Sequence, residues 1–167
     1  MTNQPGSPIP PCSQRMRAKK TVLIAEDDAD DVFLLQRAFS KAGINANLQF
    51  ASDGEEAIRY LLSADQQENP IPDLLLLDLK MPRVDGFTVL DWVRKQPGLK
   101  RLLVTVLTSS GARVDINRAY DLGANSYLLK PFSNENLVQL VGHLQAYWLG
   151  INFAPECDAS QPRQVGA

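Results

Sequence analysis

Pro72-Asp-Leu-Leu-Leu-Leu-Asp-Leu-Lys-Met-Pro-Arg-Val-Asp-Gly86 is the stretch whose reading decides the fold. Leu74 to Leu77 form an apolar run bounded by proline on one side and charge on the other, which suits a strand buried on both faces of a parallel sheet. The run stops at Asp78. A carboxylate therefore stands at the carboxyl edge of a central strand, where open α/β sheets place their ligands. Lys80, Met81 and Pro82 leave the strand as a loop, and Asp85-Gly86 closes that loop and opens a helix. Alone, Asp78 is as readily a turn cap as a functional group. The decision rests on what other strands bring to the same edge.

Working outward, Thr21-Val-Leu-Ile-Ala25 is a second buried run that ends in acids, Glu26-Asp27-Asp28. Asp30 and Asp31 fall in the first turn of a helix, where negative charge suits the dipole. Val32, Leu35, Phe39 and Ala42 carry that helix to Gly43. Leu48 to Ala51 is a short strand, Asp53-Gly54 a turn, and Ala57, Ile58, Leu61 and Leu62 the buried side of the next helix. Beyond Gly86, the spacing of Phe87, Leu90 and Val93 predicts a third helix, with Trp92 to the side of its stripe. Leu102 to Leu107 is a fourth strand, running into Thr108. A short helix ends at Gly123, and Ser126 to Leu129 is a fifth strand leading to Lys130-Pro131. Ser133 caps a final helix with the stripe Leu137, Leu140, Val141, Leu144 and Tyr147 or Trp148. Five strands alternating with five helices, joined by right-handed crossovers, predict an α/β fold: a flavodoxin-like doubly wound parallel sheet of order 2-1-3-4-5.

Composition narrows the function. A chain of 167 residues with 44% hydrophobic content supports one well-buried domain. Residues 1–20, rich in proline and polar residues, read as a flexible leader, 21–147 as the domain, and 148–167 as a C-terminal extension. Cys12 and Cys157 match no metal or redox spacing, and no apolar segment reaches membrane-spanning length. A soluble, cytoplasmic protein is expected. Residues 21–150 carry 12 basic and 17 acidic groups, which argues against a nucleic-acid surface. His143 lies mid-helix without a nucleophile pattern beside it, and is read as an ordinary helix residue.

Parallel strands send everything that follows them to one edge. Strand one delivers Glu26 and Asp27, strand three Asp78, strand four Thr108 and strand five Lys130. Three carboxylates brought together repel unless a cation joins them, and oxygen ligands favour a hard divalent ion, Mg²⁺. Carboxylate, cation, hydroxyl and ammonium together describe a phosphoryl-transfer site. Asp78 is the nucleophile, Lys130 and the ion neutralise the transferring oxygens, and Thr108 bonds the phosphoryl group once it has arrived.

These residues, in this order with Met81-Pro82, Asp85-Gly86 and Tyr127, resemble the receiver domain of two-component response regulators from about Thr21 to Tyr147. The resemblance implies that Asp27 and Asp78 bind Mg²⁺ directly, that Glu26 acts mainly through water, and that the Lys80 backbone carbonyl adds a ligand. It implies a cis bond before Pro131 and a switch in which Thr108 moves toward the phosphoryl group and Tyr127 turns inward. It also implies a phosphodonor histidine kinase and a signalling role, with catalysis confined to the protein's own phosphorylation and dephosphorylation. Glu26 departs from the aspartate that many receivers carry there, and Asp28 offers a spare carboxylate read as a helix cap.

About twenty residues follow the last helix, so no DNA-binding module is expected and the output is read as binding to an unknown downstream protein. The loop before strand three and the Tyr147–Phe153 extension resemble the regulators that partner cyanobacterial phytochromes, which makes a phytochrome the expected kinase. Tyr147, Trp148, Leu149, Ile151 and Phe153 continue apolar past the completed domain, and predict a homodimer interface unless the extension folds back on its own domain. Two other readings stand beside this one. A phosphohydrolase of the haloacid dehalogenase type needs an acid two residues after its nucleophile, where this chain has Lys80. A receiver-like binding module that is never phosphorylated has no need of the full set of site residues.

Overall fold

In the computed structural model, which describes residues 19–64, 69–158, 160–161 and 163–164, the leucine run is a strand buried along its whole length. The five strands are β1 (Lys20–Ala25), β2 (Ala46–Ala51), β3 (Leu74–Leu77), β4 (Val104–Thr108) and β5 (Ser126–Leu129). Between and after them run α1 (Ala29–Lys41), α2 (Gly54–Ser63), α3 (Gly86–Lys95), α4 (Arg113–Asp121) and α5 (Asn134–Leu144). All strand pairs are parallel and the order is β2-β1-β3-β4-β5, the flavodoxin-like order expected.

Alternation of side chains along β3 divides the core. Leu75 and Leu77 join Ala57 and Leu61 of α2 and Leu90 and Val93 of α3, while Leu74 and Leu76 join Leu35 and Phe39 of α1 and Val141 of α5. A strand without a polar face is stable only with a helical layer on each side. Each leucine so buried contributes about 2 kcal/mol through apolar area removed from water. Truncating one to alanine would cost about 2–5 kcal/mol, because a cavity is added to the lost transfer energy.

Short polar side chains start the helices. Asp28, Asp53, Asp85 and Ser133 each accept a hydrogen bond from a first-turn amide of α1, α2, α3 and α5. Asp28 is thereby used as a cap, as its position suggested. Gly43 and Gly123 follow α1 and α4 in left-handed conformations, with φ of 66° and 92°.

Several boundaries differ from expectation: β1 begins at Lys20 and β2 at Ala46, ahead of Thr21 and Leu48. Leu102 and Leu103 are buried but precede β4, which instead runs through Thr108. The last helix does not remain α-helical to Tyr147: it widens into a π-helical segment, Gln145–Ile151. The extra residue per turn sets Trp148 and Leu149 against the α1–α5 side of the core and leaves Tyr147 and Ile151 exposed. Trp148 and Leu149 therefore cover their own domain, a correction to the expectation that the whole apolar extension lies free for an interface. Apart from Lys19 and Lys20, the leader lies outside the described residues. Among those described, no helix is long and apolar enough to cross a membrane.

Candidate functional site

The carboxyl ends of β1, β3 and β5 meet where the parallel topology requires. Ligand atoms of Glu26, Asp27 and Asp78 all lie within 4.8 Å of one another, with Glu26 and Asp78 buried and Asp27 exposed. The Lys130 ammonium reaches into this group, 2.6 Å from Glu26 Oε2, 2.8 Å from Asp31 Oδ2 and 3.3 Å from Asp78 Oδ2. Burial alone would lower the pKa of Lys130. Its hydrogen bonds to Asp31 and Glu26 and the charges of Glu26 and Asp78 outweigh that and raise it, so the ammonium stays charged. Burial pushes the Glu26 carboxyl above its ordinary value, with Lys130 opposing.

Local backbone geometry holds the central aspartate. The Leu79 amide donates to Asp78 Oδ1 at 2.7 Å, while the Asp78 amide donates to the Ala25 carbonyl at 3.0 Å and so ties β3 to β1. Gly86 begins α3 so close to the Asp78 carbonyl that any side chain there would collide with it. Lys80, the expected carbonyl donor, is an exposed residue of the following loop. Within that loop Arg83 adopts a φ of 64°, which favours glycine, and its guanidinium pairs with the buried Asp53 carboxylate. This pair fastens the loop after Asp78 to the start of α2.

Thr108 ends β4 with its hydroxyl buried and, among the described residues, without a hydrogen-bond partner. Thr105 on the opposite face of the strand is in the same condition. A buried hydroxyl left unpaired costs about 1–3 kcal/mol, and an acceptor arriving beside Thr108 would recover part of it. Tyr127 is half-buried and its phenol donates to the Ser110 carbonyl at 2.8 Å. Ser110 in turn donates to Asp115 at 2.5 Å, so the aromatic is tied to the loop between β4 and α4.

One expectation is corrected. The Lys130–Pro131 bond is trans, and no cis peptide occurs among the described residues. Trans is the favoured isomer before proline by about 0.5–1 kcal/mol. The ammonium reaches its three carboxylates from the end of β5 without the other isomer. Two functional groups escape a reading of the sequence. Asp31 looks like a first-turn helix acid until its contact with Lys130 is seen, and Asp53 like a turn residue until Arg83 is found on it. His143 is an exposed residue of α5.

An excess of carboxylates around one ammonium is chemically incomplete, and the oxygen-only donor set fits a small hard cation. The arrangement can hold such an ion beside a fixed carboxylate nucleophile, with an ammonium in contact and an unpartnered hydroxyl on the neighbouring strand.

Comparison with known proteins follows the same line. The family model described as the response regulator receiver domain matches residues 22–142. The probable methanogenesis regulatory protein FilR2 of Methanothrix harundinacea is 37% identical over 80% of this chain and 86% of its own. Response regulator Rcp1 of Synechocystis is 35% identical over 82% of this chain and 94% of its own. The Mn²⁺-bound structure of Rcp1 superimposes with a TM-score of 0.72 over 81% of this chain and 99% of that one. The phosphorylated cyanobacterial phytochrome response regulator RcpA is 34% identical, with a TM-score of 0.77 over 83% and 100% of the two chains.

Proposed function

The chain belongs to the response regulator receiver family, and from that premise we propose that it accepts a phosphoryl group on Asp78 from a sensor histidine kinase and signals through the protein contacts that follow. The observation that carries this is the Lys130 ammonium bonded at once to Asp78, Glu26 and Asp31. It sets a cation against the buried carboxylate at the strand end, where the oxygens of an incoming phosphoryl group need counter-charge. Residues 21–147 form the receiver unit, preceded by a leader over 1–20 and followed by an extension over 148–167.

In the transfer an Asp78 carboxylate oxygen forms a bond to phosphorus as the phosphorus–nitrogen bond of the donor phosphohistidine breaks. The imidazole leaves with the electron pair. Leu79 N–H orients the carboxylate, Lys130 takes up charge on the phosphoryl oxygens, and Thr108 donates its free hydroxyl to the product. Glu26, Asp27 and Asp78, with the Lys80 carbonyl, would hold Mg²⁺. When bound, the ion would neutralise phosphoryl charge. The new bond at Thr108 draws β4 inward and gives Tyr127 reason to leave Ser110, which alters the surface of α4, β5 and α5. RcpA supports a phytochrome as the kinase, since it is named as a cyanobacterial phytochrome response regulator. The downstream protein is recognised by the altered face, in the cytoplasm and without DNA contact.

Self-association belongs to the same proposal. Tyr147, Ile151 and Phe153 are exposed, and with Trp148 and Leu149 behind them they offer an apolar face for a homodimer. Sedimentation of the full chain at tens of micromolar is expected to give a dimer, and a monomer with and without phosphate overturns it.

The main proposal is tested by incubating the protein with a small phosphodonor and Mg²⁺ and measuring acyl phosphate. Wild type is expected to be labelled, whereas Asp78→Asn, which keeps the shape without the nucleophilic charge, is expected to lose labelling with its fold intact. Full labelling of Asp78→Asn overturns the assignment. An unlabelled wild type would favour the binding module without phosphorylation.

A further inference from the structure

The opposite, amino edge of the sheet carries a second convergence of polar groups, built from the ends of two helices. α2 ends at Ser63 with no basic residue in its last turn, so its final carbonyls lack a cation of their own. Arg163 supplies one from the tail. Its guanidinium donates to the carbonyls of Leu61 at 2.8 Å, Leu62 at 3.4 Å and Ala64. The next residue is held on both sides of its backbone. Gln164 N–H donates to Gln96 Oε1 at 2.8 Å, and the Gln164 carbonyl accepts from Trp92 Nε1 at 2.9 Å and from Gln96 Nε2 at 3.3 Å.

Gln96 is only 4% exposed, and its amide pairs with both the N–H and the carbonyl of one residue, so it reads main chain and not a particular side chain. Upstream, the Asp158 amide donates to the Gly98 carbonyl at 3.1 Å, and the Asp158 carbonyl sits where any side chain at position 98 would stand. Cys157 packs against the α2–α3 side of the core.

We propose that the cleft between the C-terminal ends of α2 and α3 is a recognition site for an arginine-bearing peptide, and that Arg163–Gln164 of this chain is its tethered ligand. The carbonyls of Leu61, Leu62 and Ala64 converge on the single nitrogen Nη1 of Arg163, and the C-terminal end of a helix favours a charged donor there. Gln96 and Gly98 set the path of the backbone, and the end of α2 takes the cationic side chain. Tethering gives the tail an effective concentration of about millimolar. The site is thus filled in cis, and a free peptide enters once the tail's own arginine is removed.

The test uses the full chain carrying Cys12→Ser, which leaves Cys157 as the only thiol. Adding Arg163→Ala is expected to shift the Trp92 indole N–H resonance and to speed alkylation of Cys157 about tenfold, through loss of hydrogen bonds to a charged donor. A synthetic peptide of residues 158–167, at millimolar concentration, is expected to return the indole resonance of that variant to its wild-type position. The same peptide with Arg163→Ala is expected to leave it shifted. The proposal is overturned if Arg163→Ala leaves either the indole resonance or the alkylation rate unchanged, or if the two peptides act alike.

Discussion

At the carboxyl edge of the sheet Glu26, Asp31 and Asp78 share a single ammonium and the Thr108 hydroxyl has no partner, whereas at the amino edge the carbonyls ending α2 take donors from Arg163 and the Gln164 backbone is bonded on both sides. The same parallel sheet thus has one end short of partners and one end supplied with them by its own chain. An edge short of cations and acceptors stores free energy that an arriving ligand can release. An edge completed from within contributes stability instead, and substitutions there should leave chemistry alone. The difference separates phosphoryl chemistry from the holding of the tail along a single direction of the molecule.

The comparison breaks most readily at Lys130. Lys130→Ala would leave Glu26 and Asp78 buried without their counter-charge and should destabilise the protein by about 3 kcal/mol, the scale for opening a buried ion pair from one side. Urea denaturation measures this, and acyl-phosphate labelling should fall with it. Unchanged stability would mean that the carboxyl edge is not held by this ammonium.

Metal addition sharpens the contrast. A cation bound by Glu26, Asp27 and Asp78 at a hundred times its dissociation constant should add about 2.7 kcal/mol by linkage. Asp27→Asn should remove most of that increment while altering metal-free stability little, because Asp27 is exposed. Melting curves with and without millimolar Mg²⁺ decide it. A Tm increment that survives Asp27→Asn would place the metal elsewhere.

At the amino edge, Gln96→Ala deletes the amide that clamps Gln164 and should cost about 1–2 kcal/mol, the scale of lost buried hydrogen bonds. The rate of acyl-phosphate formation should not change. A matching loss of labelling would show the two edges to be coupled.

Thr108→Val gives the smallest effect and the most telling sign. Replacing an unpartnered buried hydroxyl by a methyl of similar shape should raise the stability of the unphosphorylated protein by up to about 1 kcal/mol. The chemical-shift response of residues 108–132 to a phosphoryl analogue should shrink in the same variant. A destabilised variant would mean that the hydroxyl already has a partner.

Much of the carboxyl edge was legible beforehand because it follows from order along the chain. Apolar runs ending in Glu26, Asp78 and Lys130 mark strands and their exits, and parallel pairing then brings every exit to one side. Residues that act through distant contacts were not legible. Asp31 carries only a helix-start signal, although its carboxylate lies 2.8 Å from Lys130 Nζ. Periodicity puts Trp92 to the side of α3, yet it is buried with its indole on Gln164. The π-helical turn that divides Trp148 from Tyr147 has no marker in the spacing of apolar residues.

What the sequence determined alone was the alternation of strands and helices, their order, and the delivery of Glu26, Asp27, Asp78, Thr108 and Lys130 to one edge of the sheet, because hydrophobic period and crossover handedness are local rules that topology carries across the molecule. Tertiary structure alone decided the third carboxylate on Lys130, the pairing of Arg83 with Asp53, and the placing of Arg163 and Gln164 against the ends of α2 and α3. Each of these joins polar side chains far apart in sequence, and a single hydrogen bond or ion pair leaves no periodic trace for the chain to announce.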